Sequence, residues 1–172
     1  MAHEIAVPEG ISREQAYRSL LPQLAALVQD EPDLIANLAN LSAALEQAFE
    51  FLWVGFYRMI AGELVLGPFQ GPLACTRITL DRGVCGAAAR ERRTLIVPDV
   101  NQFPGHIACS SVSRSEIVVP LTLGDQVPLV LDVDSEQLDH FSATDARYLG
   151  QVVELIKARH FAVRPTREAF PS

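Results

Sequence analysis

The sequence predicts an α+β sandwich: a mostly antiparallel sheet with helices on one face and functional loops on the other. Three observations predict it. Two apolar stripes at helical spacing open the chain, short β-branched and aromatic segments separated by turns fill its centre, and a further helical stripe closes it. With 172 residues, 49% of them hydrophobic and 20% charged, the chain can bury the core of one compact domain.

Residues 12–30 place Tyr17, Leu20, Leu21, Leu24, Leu27 and Val28 on one stripe, and Ser12 with Gln15 has capping-box spacing. Pro22 predicts a break or kink in that helix. After Pro32, DLIANLANLSAALEQAFE gathers Leu34, Ile35, Leu38, Leu41, Leu45, Ala48 and Phe49 on one face of a second helix. The period then changes, because LWVGFYRM is short, aromatic and β-branched, and Ala61-Gly62 turns it into residues 63–66 as a hairpin. Residues 67–74, with two prolines and two glycines, form a loop leading to a strand at 76–79. A short helix entered through Gly83 spans 83–92, and a strand follows at 94–97. A loop with Pro104 and Gly105 covers 101–113, and strands at 116–122 and 127–133 are joined through Gly124-Asp125. The last helix runs from Ser142 to about Phe161, with Leu149, Val152, Val153 and Ile156 in its stripe and Ser142/Asp145 as capping pair. The tail RPTREAFPS has no periodicity.

Charge narrows the function classes. Fourteen basic residues against 21 acidic give net −7, with no Lys/Arg cluster to trace a phosphate backbone, so neither nucleic acid nor an anionic membrane is expected as partner. The start MAHEIAVPEG lacks the features of a secretory signal, and no window approaches the roughly 20 apolar residues of a spanning helix, so a cytoplasmic protein is expected. Three cysteines, Cys75, Cys85 and Cys109, make an odd number that fits a secreted disulfide framework poorly.

Alternation in VLDVDS sends Asp132 and Asp134 to one face and Leu131 and Val133 to the other. Paired carboxyls raise one pKa, so that one can act as acid while the other stays an anion, although a solvated strand end or a capping acid looks the same locally. Glu116 opens the strand EIVVPL just after the Cys109 loop, as a third acid at a pocket mouth or as a strand-edge charge. Three converging acids would suit a cationic ligand such as the ammonium of a free amino acid. In WVGFY, Trp53, Gly55 and Tyr57 share a face opposite Val54 and Phe56, and the indole serves either core packing or the wall of an S-methyl pocket.

No C-x-x-C pair occurs, and a zinc site of three cysteines with His106 has the wrong spacing for the common motifs, so no metal is expected. Cys85, beside small residues in a short helix, suits a buried inert role. Cys75 and Cys109 stand at loop boundaries, where thiol and disulfide chemistry is open to them, and Cys109 lies in the polar stretch FPGHIACSSVSRSEIVVP.

The segments IANLANLSAAL, WVGFY, GELVLGPFQGPLACTRI, GVCGAA, VPDVNQFPGHIACSSVSRSEIVVPL and VLDVDS resemble the free methionine-(R)-sulfoxide reductases, which are built on a GAF domain. The resemblance spans roughly residues 17–157 and includes all three cysteines in order and spacing. It implies a six-stranded antiparallel sheet flanked by helices in a single GAF domain at 17–161, between an N-terminal segment 1–16 and a tail 162–172, often in a homodimer. It implies reduction of free L-methionine (R)-sulfoxide with electrons from thioredoxin and no bound cofactor. By motif, Cys109 matches the attacking thiolate, Cys75 the resolving partner and Cys85 a third cysteine with a possible further redox role. Glu116, Asp132 and Asp134 match acids that bind and activate the substrate, with Asp134 or Glu116 as proton donor. Trp53 matches the wall against the methyl group, with Tyr57 beside it. Leu52 and Pro128-Leu129 depart from the pattern, and Pro128 predicts an edge strand or a local bulge. A GAF sensor of small ligands and a thiol switch without turnover are the competing readings.

Overall fold

The structure, a computed structural model, describes residues 5–105 and 111–162. His106 and Cys109, residues 1–4 of the N-terminal segment and residues 163–172 of the tail lie outside the described residues. The chain order is α1 (Arg13–Gln29), α2 (Leu34–Phe49), β1 (Trp53–Ile60), β2 (Glu63–Gln70), β3 (Arg77–Thr79), α3 (Gly83–Glu91), β4 (Leu95–Val97), a 3-10 turn at Val100–Gln102, β5 (Ser115–Leu123), β6 (Gln126–Ser135) and α4 (Ala143–His160). The strands form one antiparallel six-stranded sheet in the order β3-β2-β1-β6-β5-β4.

The pleat divides the apolar residues between two cores. Val54 and Phe56 of β1, Ile117, Val119 and Leu121 of β5 and Leu129, Leu131 and Val133 of β6 face α1, α2 and α4. Trp53 and Tyr57, Val118 and Val130 face the other way, toward α3. The expected face of loops alone is therefore corrected: α3 packs there against β3, β4, β5 and β6. Its small residues let it approach closely, since a Cβ on Gly86 would stand 2.7 Å from the carbonyl oxygen of Thr79. Gly83, at φ 68°, supplies the left-handed turn into the helix.

Both capping boxes form, at Ser12/Gln15 and at Ser142/Asp145. Asp145, fully buried, also accepts from Tyr17 Oη at 2.8 Å and from Arg13 Nε at 2.5 Å, which ties the start of α4 to that of α1. The Arg13 guanidinium lies over Phe49, Phe51 and Phe141 at 5.5–6.0 Å from each ring centre.

Two proline expectations are corrected in part. No break occurs at Pro22, because α1 presents it to solvent, where water can serve the carbonyl that loses its partner. Pro128 is not on an edge, because β6 lies between β1 and β5. The bulge alternative holds: pairing with β5 slips by one residue between Leu121↔Leu129 and Leu123↔Gln126, and pairing with β1 ends at Arg58↔Leu129. At the β1–β2 turn both Ala61 and Gly62 have positive φ, as a two-residue hairpin of type I′ requires. Among the described residues, no helix is long and apolar enough to cross a membrane.

Candidate active site

The register of the three central strands assembles the site. Trp53 of β1 lies opposite Asp134 of β6, and Asp134 lies opposite Glu116 of β5, so an indole and two carboxyls form one row across the sheet. Two residues along, Gly55, Asp132 and Val118 form the next row on the same face. The glycine keeps that row low: a Cβ there would fall 2.3 Å from Phe69 Cβ and 2.7 Å from the Trp53 ring. Above the rows opens a cleft lined by Trp53, Tyr57, Cys85, Ser113, Glu116, Asp132 and Asp134, with Leu52, Pro72, Leu73 and Ala74 also on its walls.

The cleft has an aromatic wall and an acidic floor. Trp53 stacks between Phe69 (5.3 Å between ring centres, 16° between planes) and Tyr57 (5.9 Å, 25°). Its Nε1–H is buried and finds no hydrogen-bond partner among the described residues, and the same holds for Oδ1 of Asp132 on the floor. One unused donor and one unused acceptor in a cleft suit a ligand carrying both kinds of group.

Glu116 and Asp132 are each 6% exposed. Burial first, then the charges of Asp132 and Asp134, pushes the Glu116 pKa well above the carboxylate range. Burial and Asp134 also raise Asp132, against hydrogen bonds from Cys85, Glu116 and the Val133 backbone that draw it down. Asp134 is raised by burial to about 6, opposed by Ser113 Oγ, which donates to it at 2.5 Å. The floor therefore holds protons near neutrality, and an incoming cation would find an acid pair ready to ionise.

Cys85 of α3 is buried against this floor, its Sγ 4.0 Å from Glu116 Oε1, and burial followed by the charges of Asp132 and Glu116 pushes its pKa well above the ordinary thiol value. It is a free thiol, whereas Cys75 is disulfide-bonded. Tyr57 Oη donates to the carbonyl oxygen of Cys75 at 2.9 Å, so the aromatic wall also holds that cysteine's backbone. Donor atoms of Cys85, Glu116 and Asp132 lie within 4.8 Å of one another, the set among the described residues that could hold a metal ion.

The structure thus brings together Trp53, Tyr57, Cys85, Glu116, Asp132 and Asp134. Cys109 lies outside the described residues, but the chain on either side of its segment is placed. The Gly105 carbonyl accepts from Gly83 N at 3.0 Å at the cleft wall, and Ser113 lines the cleft. Sequence reasoning missed Ser113 and Phe69. Phe69 stands in GPFQ, a segment read as loop for its glycine and proline, and is the one aromatic of β2, so its own β propensity was the only local signal, whereas nothing marks Ser113 among its neighbouring serines.

A profile of the GAF domain family matches residues 28–158. GAF domain-containing protein A of Dictyostelium discoideum is 54% identical over 91% of this chain and 99% of its own length. The free methionine-R-sulfoxide reductase of Escherichia coli is 42% identical over 83% of this chain and 87% of its own. The structure of the free methionine-R-sulfoxide reductase of Neisseria meningitidis in complex with its substrate superposes with a TM-score of 0.87 at 50% identity, covering 91% of this chain and 95% of that one.

Proposed function

This chain belongs to the GAF domain family and, within it, to the free methionine-R-sulfoxide reductases; from that premise we propose that it reduces free L-methionine (R)-sulfoxide by a cysteine sulfenic acid and disulfide cycle driven by thioredoxin. The observation that carries the reading is the row of Trp53, Asp134 and Glu116 beside Asp132: a flat apolar wall against acids that hold protons.

In this reading the methyl group lies against Trp53, and the α-ammonium is held by the acidic floor, with Asp132 as the anion. The Cys109 thiolate attacks the sulfoxide sulfur while Glu116 or Asp134 delivers a proton to the oxygen, which would otherwise leave poorly. The sulfur is reduced by two electrons, methionine departs, and the oxygen remains on Cys109 as a sulfenic acid. The Cys75 thiol displaces that oxygen as water and forms the disulfide, which a dithiol reductant reopens by exchange. The pairing is supported by the disulfide state of Cys75 beside a free Cys85. Leu73, 89% exposed two residues before Cys75, offers a protein reductant an apolar contact. The same reading has no bound cofactor, a cytoplasmic setting and a homodimer. A peptide-bound sulfoxide lacks the ammonium and would leave the floor unpaired, which excludes it.

Reductant consumption with thioredoxin, thioredoxin reductase and NADPH tests the proposal. Turnover is expected with free L-methionine (R)-sulfoxide and not with the (S) epimer or a peptide-bound sulfoxide; equal turnover of all three, or none, overturns it. Cys109→Ser should abolish turnover, and Cys75→Ser should release close to one methionine per chain without recycling. Sustained turnover by Cys109→Ser would transfer the attack to another thiol.

A further inference from the structure

Ser113 lines the cleft, yet the cycle just described gives it no task. It is 7% exposed and stands just ahead of β5, shortly after Cys109 in the chain. Its Oγ donates to Asp134 Oδ1 of β6 at 2.5 Å. The backbone that follows is fastened on two sides. Arg114 N donates to the Ser135 carbonyl at 2.7 Å, the Arg114 carbonyl accepts from Val100 N at 2.9 Å, and Ser115 Oγ donates to the Gln137 carbonyl at 2.6 Å. A hydroxyl on so fixed a backbone is a fixed donor, able to orient the free end of a neighbouring side chain.

Asp134 is the acid whose orientation matters most to a ligand on the indole wall. It lies one strand from Trp53, about 5 Å across the sheet, whereas Glu116 lies two strands away. The indole is stacked on Phe69 of β2, on the side of β1 away from Glu116. Glu116 and Asp132 are buried, and Asp134 is the half-buried acid of the three. A sulfur whose methyl group rests on Trp53 therefore carries its oxygen closer to Asp134 than to Glu116. We propose that Ser113 is a positioning residue for the reduction: its hydroxyl pins Oδ1 of Asp134 and so holds the carboxyl in the one orientation that meets the sulfoxide oxygen. The proposal rests on the reductase reading for the identity of that oxygen. Ser113 itself touches no reacting atom and acts only through Asp134. Without the pin the carboxyl keeps its chemistry but samples other rotamers. The loss then falls on the chemical step and spares ground-state binding, which the indole and the other two acids retain.

A double-mutant cycle on free L-methionine (R)-sulfoxide tests it. Ser113→Ala should lower kcat about tenfold, the worth of one hydrogen bond to a charged group, with KM changed less than about threefold. Ser113→Thr keeps the hydroxyl and should restore most of kcat. In an Asp134→Asn background, Ser113→Ala should cost less than about twofold, because the group through which it acts is already gone. A Ser113→Ala enzyme with wild-type kcat overturns the proposal. So does the same tenfold loss in both backgrounds, which marks a role in the fold alone. Nuclear magnetic resonance of the ligand-free protein supplies a readout that needs no turnover. Three-bond couplings from the Asp134 α proton to its β protons should report a single χ1 rotamer in the wild type and rotamer averaging in Ser113→Ala. Averaging in the wild type overturns the proposal even where no Ser113 variant folds, and so does a single rotamer kept by Ser113→Ala. If the wild-type protein reduces no sulfoxide, the functional reading falls on that result, and the couplings still decide whether Ser113 pins the acid.

Discussion

Asp134 is raised by burial to about 6 from an ordinary 3.8, a shift equivalent to roughly 3 kcal/mol, and Glu116 and Asp132 are pushed further in the same direction. A carboxyl that holds its proton more tightly in the folded than in the unfolded chain stabilises the fold fully at pH below its unfolded pKa. That stability is lost as pH rises through the folded value. Denaturant melts should therefore show stability falling from about pH 4 to past pH 6, and Asp134→Asn should flatten this segment while lowering turnover about a hundredfold or more. Parallel melting profiles for wild type and Asp134→Asn would show that Asp134 gains its proton no more readily folded than unfolded. The acids thus cost stability near neutrality in return for a proton held where the sulfoxide oxygen would arrive.

The placement of α3 depends on one missing methyl group. Alanine at Gly86 would bring a Cβ to 2.7 Å from Thr79 O and 3.0 Å from Leu80 O, so Gly86→Ala should cost about 1–3 kcal/mol and lower kcat/KM as the helix carries Cys85 away from the floor. Gly150 of α4 meets nothing within 4 Å, and Gly150→Ala should instead stabilise by about 0.5–1 kcal/mol with kcat/KM unaltered. Thermal melts and kinetics of the pair check both; a Gly86→Ala protein as stable and active as wild type would mean that α3 tolerates displacement. The same helix shows where local sequence reading stops. Its residues, GVCGAAARE, contain too few large apolar side chains to form a directional stripe, so nothing local says which face of the sheet it covers. By contrast, alternation was legible in β1 and β6, where it put Trp53 with Tyr57 on one face of the first strand and Asp132 with Asp134 on one face of the second. The alignment of Trp53 with Asp134 was not, because that register is set by pairing between residues some eighty positions apart in the chain.

Across the whole molecule, the helical side of the sheet holds the large apolar core and the clamp of Arg13 and Asp145 between α1 and α4. Asp145→Ala would leave a partly buried guanidinium among three rings and strip the Tyr17 hydroxyl of its acceptor, at a cost of about 3 kcal/mol. Calorimetry should show that loss while kcat of the folded fraction holds, since the clamp lies across the sheet from the cleft; a matching fall in kcat would mean the two sides communicate. Capping boxes and stripes made this side readable from the sequence, down to Ser12/Gln15 and Ser142/Asp145. The cleft side was readable chiefly through family resemblance, because its meaning lies in which distant residues meet. The sheet therefore acts as a partition between the part of the chain that keeps it folded and the part that does its work. For an engineer seeking a hardier catalyst, this separates two searches that usually conflict: libraries confined to α1, α2 and α4 can harvest thermal tolerance, and libraries confined to the opposite wall can retune substrate choice, with gains from the two combined by simple addition.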